Sequence, residues 1–330
     1  MATIKEVAKA AGVSTMTASR VARGMEGVRD STRQAVLLAM QELGYEPDRL
    51  ARALRNNRSN TIGIIVADAG NSFYTQVNAM IEQKLRSKGF SVLMSFSNED
   101  PDLELSSLSM LAGARVDGIV ITPVRYTDNL SLDLISARKL PVLQLYRNVY
   151  EGLDSLVIDD SYGVQLATRR LLDEEHRRIM LLDVNWDGRA EGYRKAFIER
   201  GLTVDEKYIL SFDTNAFAEE DIIKGIKRLH PTAIVAGTNI LGHATVTACR
   251  KLMLDIPRDM SIIVQDDVQW VTLMDVTAIS QPINRVAQET VNLILAKVQH
   301  SGDGIPCDPV HRFIRPSLVE RSSVSSVPSV

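Results

Sequence analysis

From Thr61 onward, short apolar runs alternate with longer segments of helical periodicity, and this alternation occurs in two successive sets. The first set has apolar runs at 62–67, 92–96, 118–122 and 142–145, with helical stretches near 74–88, 102–112 and 129–138. The second set has apolar runs at 179–184, 209–212, 233–236 and 262–264, with helices near 162–173, 189–200, 217–229 and 241–252. Such alternation predicts parallel sheets with helices on both faces. Two sets predict an α/β body of two similar lobes, with a ligand site in the cleft between them.

Residues 1–47 show a different pattern, that of three short helices. Apolar residues at helical spacing predict a first helix that Gly12 breaks, and Ser14 is a favourable N-cap for a second helix from Thr15 to Val21. A third apolar, helix-spaced segment stops at Gly44. Two short helices joined by a tight turn, with a third as support, are typical of a helix-turn-helix. From the pattern alone, a generic three-helix bundle with a polar surface remains open.

Residues 48–60, DRLARALRNNRSN, are rich in arginine and contain a few apolar residues. An isolated helix of this length is marginal in water, so it would need DNA or a partner to form; an ordinary linker is the alternative.

The charge is unevenly distributed along the chain. Residues 1–60 contain ten Lys and Arg and six Asp and Glu, a net charge of +4, whereas the rest of the chain carries −7, so the total is −3. A basic head on an acidic body favours a polyanion-binding module joined to a second function.

Composition excludes several classes of protein. No apolar run reaches the length of a membrane span, and the start of the chain lacks the apolar stretch of a signal peptide, so we expect a cytoplasmic protein. Cys249 and Cys307 lie far apart and form no metal-binding pattern, so buried free thiols are expected. No phosphate-binding loop, hydrolase elbow or metalloprotease motif occurs. We therefore predict no enzyme, no cofactor and no metal, and a disordered tail over 322–330.

Several motifs closely resemble the lac repressor/galactose repressor family of bacterial transcription regulators. They are VAKAAGVSTMTASRVARG, VRDSTRQAVLLAMQELGYEPDRLARALR, TIGIIVADAGNSFY, RVDGIV, VIDD and ISQP, and the resemblance extends to about Arg321. It implies a helix-turn-helix headpiece over 1–47, a hinge helix and linker over 48–60, and an effector-binding and dimerisation body over 61–321. The body resembles periplasmic binding proteins. Lobe 1 would cover about 61–160 and 283–321, and lobe 2 about 161–282.

The resemblance also assigns DNA contacts. The second helix of the family reads bases in the major groove, and the matching residues here are Thr15, Met16 and Arg20. Arginine can bond bidentately to guanine, threonine can bond a base edge or touch a thymine methyl group, and methionine offers apolar contact. The implied phosphate contacts, which position the head without reading sequence, are Thr3, Ser14, Thr17 and Ser19.

The family's hinge helix inserts a leucine from each subunit into the central base step of the operator. Leu54 matches that leucine, with Ala51 and Arg55 beside it in ARALR. An apolar wedge trades unstacking energy for a bent DNA that meets more protein. The resemblance therefore implies a homodimer and a near-palindromic operator.

The effector residues implied by the resemblance follow the strands of both lobes; they are Phe73, Tyr74, Arg147, Trp186, Arg189, Asn239 and Asp266. A sugar or sugar derivative is the implied effector. Arg147 and Arg189 could clamp a carboxylate or phosphate, or form ordinary ion pairs. Trp186 could stack on a sugar ring or cover a lobe edge.

Three departures from the family pattern affect this set. Tyr146 stands where an aspartate is frequent, Asn239 replaces a more usual aspartate, and the loop over 183–188 is short.

The sequence thus predicts a DNA-binding regulator, most commonly a repressor in this family, whose operator affinity depends on a cleft-bound effector. Two alternatives stay open. The short loop is also compatible with control by a partner protein instead of a small ligand. A solute-binding protein without a DNA-reading role would explain the body, but it gives no reason for the head or for ARALR.

Overall fold

The computed structural model describes residues 2–22, 25–45, 58–125, 129–184, 188–212, 219–300 and 308–327. The chain separates into two compact units, Met1–Ser59 and Asn60–Val330. Each unit has its own hydrophobic core, as expected for a domain. None of the helices in this described part of the chain is long and apolar enough to cross a membrane.

The first unit contains three helices, α1 (Ile4–Ala10), α2 (Thr15–Ala22) and α3 (Asp30–Glu42). Thr3 begins α1 with a capping box: its side chain accepts from the Glu6 amide, and the Glu6 carboxylate accepts from the Thr3 amide. Gly12 provides the left-handed conformation, φ +65°, that the turn between α1 and α2 requires. The core consists of small and branched apolar side chains from all three helices: Val7, Ala8, Ala18, Val21, Val36 and Ala39.

Lobe 1 of the second unit is a parallel six-stranded sheet. Its strands are β1 (Thr61–Val66), β2 (Ser91–Phe96), β3 (Gly118–Ile121), β4 (Val142–Leu145), β5 (Asp154–Ile158) and β11 (His311–Ile314), in the order β11-β5-β4-β3-β1-β2. Its helices are α4 (Ser72–Ser87), α5 (Pro101–Gly113), α6 (Asn129–Arg138) and α12 (Ile283–His300). The central strands are almost wholly apolar and buried because helices cover both faces.

Lobe 2 repeats this arrangement with the strand order β12-β10-β9-β8-β6-β7. Its strands are β6 (Ile179–Val184), β7 (Ile209–Phe212), β8 (Ala233–Ala236), β9 (Ser261–Gln265), β10 (Thr277–Ser280) and β12 (Ser317–Val319). Its helices are α7 (Asp160–Asp173), α8 (Arg189–Glu199), α9 (Glu219–Leu229), α10 (Asn239–Lys251) and α11 (Gln269–Leu273), with a short 3₁₀ helix at Glu206–Tyr208. β12 pairs antiparallel with β10, whereas the other pairings are parallel. The predicted α/β class and the two-lobed body are confirmed.

The chain crosses between the two lobes three times: after β5, after β10 and after β11. The last crossing corrects one predicted boundary. The resemblance places residues up to 321 in the second segment of lobe 1, but Ser317–Val319 joins the sheet of lobe 2. α12 packs against α4, β3 and β4, so it belongs to lobe 1, as the resemblance implied.

The segment 322–327 also differs from the sequence prediction. Its serine-rich composition predicts a disordered tail, but it lies along lobe 2 and its four serine side chains are hydrogen-bonded. Ser323 is buried; its hydroxyl donates to the Ile262 carbonyl at 2.6 Å and accepts from the Thr277 amide at 2.8 Å. Serine can pair with the backbone in this way, which composition alone does not reveal. We call residues 322–327 the C-terminal strap.

Candidate functional site

The carboxyl ends of the strands in both lobes face one cavity of about 70 Å³. The cavity is lined by residues at or just beyond the ends of strands, among them Asp68, Tyr146, Gly237 and Asp266. Tyr146 follows β4 and Asp266 follows β9, and both adopt the left-handed conformation with φ +70°. Because β4 and β9 occupy equivalent positions in their sheets, the lobes present these two side chains to the cleft in the same way. Ligand sites in open α/β sheets lie at this edge.

A hydrogen-bonded network of buried amides and a carboxylate connects the lobes inside the cleft. The Asn239 side-chain nitrogen donates to Asn71 Oδ1 and to Asp266 Oδ2, both at 2.9 Å. Gln281 Nε2 donates to the other oxygen of Asp266 at 2.7 Å. Gln281 Oε1 is buried, and the described part of the chain offers it no partner. Buried polar atoms are normally satisfied, so this oxygen can accept a bond from a ligand.

Burial raises the pKa of Asp266 to about 6, because the surrounding protein excludes water from the carboxylate. Hydrogen bonding from Asn239 and the charge of Arg189 act in the opposite direction, whereas Asp160 adds to the rise. At neutral pH the Asp266 carboxylate is therefore ionised and accepts hydrogen bonds. Keeping this buried charge without its donors would be costly.

Two buried ion pairs occupy opposite walls of the cavity. In lobe 1, the guanidinium of Arg147 donates to both oxygens of Glu99, at 2.5 and 2.9 Å, and to the Pro123 carbonyl at 2.7 Å. In lobe 2, Arg189 Nη2 lies 2.5 Å from Asp160 Oδ2, and Asp183 is 3.6 Å from the Nη1 nitrogen. Both predicted arginines are thus neutralised by carboxylates of the same lobe, and the pairs are buried instead of lying on the surface.

Close helix packing positions Arg189. It begins α8, which crosses α7 so tightly that a Cβ on Gly192 would lie 1.9 Å from the Ser161 carbonyl oxygen. Asp160 begins α7 and also accepts from Gln265 Nε2 at 2.7 Å. The approach of the two helices therefore places the guanidinium beside its carboxylate.

Three aromatic rings form the apolar part of the cleft on the lobe 1 side. The centroids of Phe73, Tyr74 and Tyr146 lie 5.2–5.8 Å apart in tilted geometry, which is favourable for aromatic pairs. Burial raises the pKa of Tyr74 to about 12, and it also raises that of Tyr146, so both phenols stay protonated at neutral pH. The Tyr146 hydroxyl is buried, and among the described residues it has no hydrogen-bond partner.

Two fully buried polar residues shape the loops that carry the lobe 1 side chains. Gln144 accepts from the Tyr150 amide at 2.7 Å and donates to the carbonyl of the same residue at 2.9 Å, which folds the loop after β4. Glu104 accepts from the Val124 amide at 2.8 Å and from the Tyr150 hydroxyl. Burial raises the pKa of Glu104. These residues connect the loops that follow β3 and β4.

Five of the seven predicted effector residues line the cavity: Phe73, Tyr74, Arg147, Arg189 and Asp266. Asn239 lies behind the lining and orients Asp266. Trp186 lies outside the described residues. The sequence did not identify Glu99 or Asp160 as partners of the arginines. Asp160 occurs in the sequence analysis only as the last residue of the motif VIDD, and Glu99 gives no signal because it lies 48 residues from Arg147.

In the first unit, the predicted DNA-reading residues lie on α2. Thr15 and Met16 are exposed, and Met16 keeps 74% of its surface accessible. Arg20 is half-buried, and its Nη2 donates to the Glu26 carbonyl at 3.1 Å. This bond holds the guanidinium beside the segment that follows α2.

The predicted phosphate contacts lie at or near the starts of helices. Thr3 caps α1, and Ser14 caps α2 by accepting from the Thr17 amide at 3.1 Å. Ser19 lies further along α2 and is half-buried. Helix N-termini favour anions, because their amides and dipole point outward. The predicted hinge residues Ala51, Leu54 and Arg55 lie outside the described residues.

A helix-turn-helix unit with an exposed second helix, in one chain with a two-lobed α/β body that encloses a polar cleft, defines the class of ligand-responsive DNA-binding regulators. Comparison with known proteins agrees. Residues 3–48 match the family of bacterial regulatory proteins called the lacI family, and residues 59–305 match the periplasmic binding proteins and sugar binding domain of the LacI family. The chain belongs to the LacI family and is a DNA-binding transcription regulator.

Relatives resemble it over their whole length. The repressor PurR of Haemophilus influenzae (strain PittGG) is 33% identical over 99% of this chain and all of its own, and PurR of Proteus mirabilis is 30% identical over all of this chain and 99% of its own. A solved complex of the regulator CelR with cellobiose shares 25% identity and a TM-score of 0.70, covering 98% of this chain and all of that one. The lac repressor dimer bound to operator and the anti-inducer ONPF has the same fold, with a TM-score of 0.81 at 23% identity over 98% and 99% of the two chains.

Proposed function

We propose that the protein is a dimeric repressor that binds a near-palindromic operator, with an affinity set by a small effector in the cleft between the lobes. The observation that carries this proposal is the buried polar network that joins the lobes next to a cavity, in a chain with a helix-turn-helix head. An effector that favours one arrangement of the lobes changes operator affinity if DNA favours another.

The head reads the operator through α2. Met16 and Thr15 offer an apolar surface and a hydroxyl to base edges in the major groove, and Arg20 offers the fork that recognises guanine. The carbonyl of Glu26 restricts the Arg20 guanidinium before DNA arrives, which reduces the entropy lost on binding. Thr3, Ser14, Thr17 and Ser19 contact phosphates, and Leu54, flanked by Ala51 and Arg55, enters the minor groove.

The effector carries no net charge. Each of the two arginines that the resemblance assigns to the effector site, Arg147 and Arg189, is already bonded to a buried carboxylate of its own lobe. An anionic ligand would have to compete with these pairs and would also face Asp266 and Asp68 across the cavity. Burying a further negative charge there is costly, since the described lining already carries the four carboxylates of Asp68, Glu99, Asp160 and Asp266 against the three arginines Arg125, Arg147 and Arg189.

The effector is a small cyclic molecule with several donor groups. The cavity holds a few times the roughly 10–15 Å³ that one water requires on the same measure, which suits a single ring. The Phe73, Tyr74 and Tyr146 cluster favours contact with a ring face. Gln281 Oε1 and the Asp266 carboxylate favour hydroxyl or N–H donors. A neutral monosaccharide meets all these conditions, and Trp186 is proposed to add a stacking surface to it.

Dimerisation is supported by the exposed apolar edge of lobe 1. On β2, the side chains of Leu93, Met94 and Phe96 each keep about two fifths of their surface exposed. An apolar edge strand is a site for association. A regulator of this kind needs neither catalysis nor export, so we propose that it is not an enzyme and that it acts in the cytoplasm, where the operator is.

The operator proposal is tested by selecting duplex DNA from a random library with the full-length protein and with Leu54→Ala. The expected result is a near-palindrome with a flexible central step, and a weaker central preference for the variant. Arg20→Lys should relax the choice at one position of each half-site, at a cost of about 1–3 kcal/mol in discrimination. A library that yields no enriched sequence, with or without added monosaccharides, would overturn the DNA-reading role.

The effector proposal is tested by isothermal titration with neutral monosaccharides and with their phosphate esters. Neutral ligands are expected to bind, and Asp266→Asn should weaken them by more than about tenfold through lost charged hydrogen bonds. Tighter binding of the phosphate esters would contradict the charge argument. If neither class alters operator binding and a protein from the same cell does, control by a protein partner replaces control by a ligand.

A further inference from the structure

Two asparagines from different lobes meet in the cleft. Asn71 precedes α4 in lobe 1, and Asn239 begins α10 in lobe 2. The side-chain nitrogen of Asn239 donates to Asn71 Oδ1 at 2.9 Å, and the two side chains are 4% and 8% exposed. This is a direct bond between the lobes that no ligand mediates.

The orientation of both amides follows from their other partners. Asn71 Oδ1 caps α4 by accepting from the Phe73 amide at 3.0 Å, so the atom that faces Asn239 is an acceptor. Asn239 must therefore present its NH₂ group. The same NH₂ group lies 2.9 Å from a carboxylate oxygen of Asp266, which also requires a donor. Exchanging O and N in either amide would leave two acceptors or two donors face to face.

Asn239 therefore occupies the position between one acceptor of each lobe. Asp266 is buried and belongs to lobe 2, and its second oxygen is held by Gln281 at the chain crossing into lobe 1. Without a donor between them, Asn71 Oδ1 would keep only the bond from the Phe73 amide, and Asp266 Oδ2 would lose the bond from the Asn239 side chain. The two buried acceptors would then each lose a hydrogen bond, which disfavours the closed arrangement of the lobes.

We propose that Asn239 acts as an internal latch: its side-chain amide supplies the donors that join the lobes, so the cleft closes without a bound effector. The latch rests on the proposed function in one respect: it regulates DNA binding only if the effector acts on operator affinity through closure of the lobes. An effector then acts on a cleft that is already closed, and it must either fit beside the latch or break it.

The chemistry of the latch predicts unequal results for the same substitution at its two ends. Asn239→Asp replaces the donor by an acceptor, which then faces Asn71 Oδ1 and the Asp266 carboxylate, so closure would require a donor from outside. Asn71→Asp keeps the acceptor that Phe73 and Asn239 use. The two variants differ from the wild type by the same atoms and the same formal charge.

The test is hydrogen–deuterium exchange of the full-length, effector-free protein, followed by mass spectrometry. Peptides over 68–75 and 236–243 report on the closed cleft. In Asn239→Asp they should exchange at least about tenfold faster, the effect of losing one or two hydrogen bonds. In Asn71→Asp, which adds the same charge to the cleft but keeps the acceptor, the increase should be several-fold smaller than in Asn239→Asp. In Asn292→Asp, on the exposed side of α12, exchange there should stay within about twofold of wild type. Peptides over β6 and β8 should not change in any variant.

Equal exchange in Asn239→Asp and Asn71→Asp would overturn the latch, whether both are fast or both are slow. Thermal melting shows beforehand whether Asn239→Asp is folded. If it is not, Asn239→Ala removes the donor without adding a carboxylate and should give the same local increase. Because exchange is measured without DNA or effector, failure of the latch leaves the proposed function standing, and failure to bind DNA leaves the latch testable.

Discussion

Gly192 shows how one absent side chain determines the position of a functional one. A methyl group there would collide with the Ser161 backbone, so Gly192→Ala must push α8 away from α7 and Arg189 away from Asp160. We expect a loss of about 3 kcal/mol in the free energy of unfolding, together with weaker effector binding. Gly113→Ala, in α5 with nothing within 4 Å of the added carbon, should be neutral or stabilising by about 0.5–1 kcal/mol. Urea denaturation compares the two, and similar losses would contradict this account.

His176 makes the folding stability of lobe 2 depend on pH. Its Nε2 donates to the Ser325 carbonyl at 2.9 Å, so its Nδ1 is the acceptor that faces the Thr232 hydroxyl at the same distance. Burial lowers its pKa below the usual 6.5. The unfolded chain therefore binds the proton first as pH falls, and folding stability drops below about pH 6.5.

We expect thermal denaturation between pH 7.5 and 5.5 to show a smaller loss of stability in His176→Gln, which keeps a donor near Ser325 but does not titrate. Asp266 has the opposite sign, because its raised pKa makes the folded state bind the proton first, and stability from this group increases as pH falls through about 6. The comparison of variant with wild type separates the two. Identical pH profiles would show that the His176 pKa is not depressed by folding.

At the scale of elements, the C-terminal strap acts as an additional edge for lobe 2. It joins β9 and β10 through Ser323 and reaches the end of α7 through the bond from the Val327 amide to the Glu174 carbonyl. A chain that ends at Arg321 should lose about 2–4 kcal/mol of stability, from several buried hydrogen bonds. A chain that ends at Val327 keeps these contacts and serves as the control. Thermal unfolding measures both, and equal melting temperatures would show that the strap contributes nothing.

The sequence predicts elements well where their periodicity is long. Amphipathic or fully apolar runs locate helices α4 to α10 and the central strands of both sheets to within a few residues. β5, β10, β11, β12 and α11 were not predicted. They are three to five residues long, and most contain polar residues, so only pairing with distant neighbours identifies them.

The candidate site, too, could be predicted from the sequence only in part. Periodicity predicted a cleft at the strand ends, and the resemblance supplied five of its lining residues. The ion pairs of the arginines and the bond between Asn71 and Asn239 could not be predicted, since the partners lie between 29 and 168 residues apart. Such contacts depend on the fold as a whole and leave no local pattern.

At the scale of the whole molecule, the balance of charge in the cleft determines which ligands can enter. Glu99→Gln removes one carboxylate and leaves the buried Arg147 without its main counter-ion. We expect a stability loss of about 3–5 kcal/mol and a shift of ligand preference toward phosphate esters. Adding Arg147→Met should restore much of the stability and abolish the anion preference. Titration of both ligand classes against the single and double variants checks this; an unchanged preference in Glu99→Gln would contradict it.

The three crossings of the chain also have a consequence during synthesis. A ribosome completes the DNA-reading head first, and it has produced nearly all of lobe 2 before α12 and β11 emerge to complete the sheet and helix layer of lobe 1. While about 120 further residues are synthesised, one edge of the lobe 1 sheet is therefore unpaired, and the apolar surface that α12 later covers is open to solvent. A nascent chain, or one truncated before α12, consequently contains the complete head before it has a body able to enclose an effector.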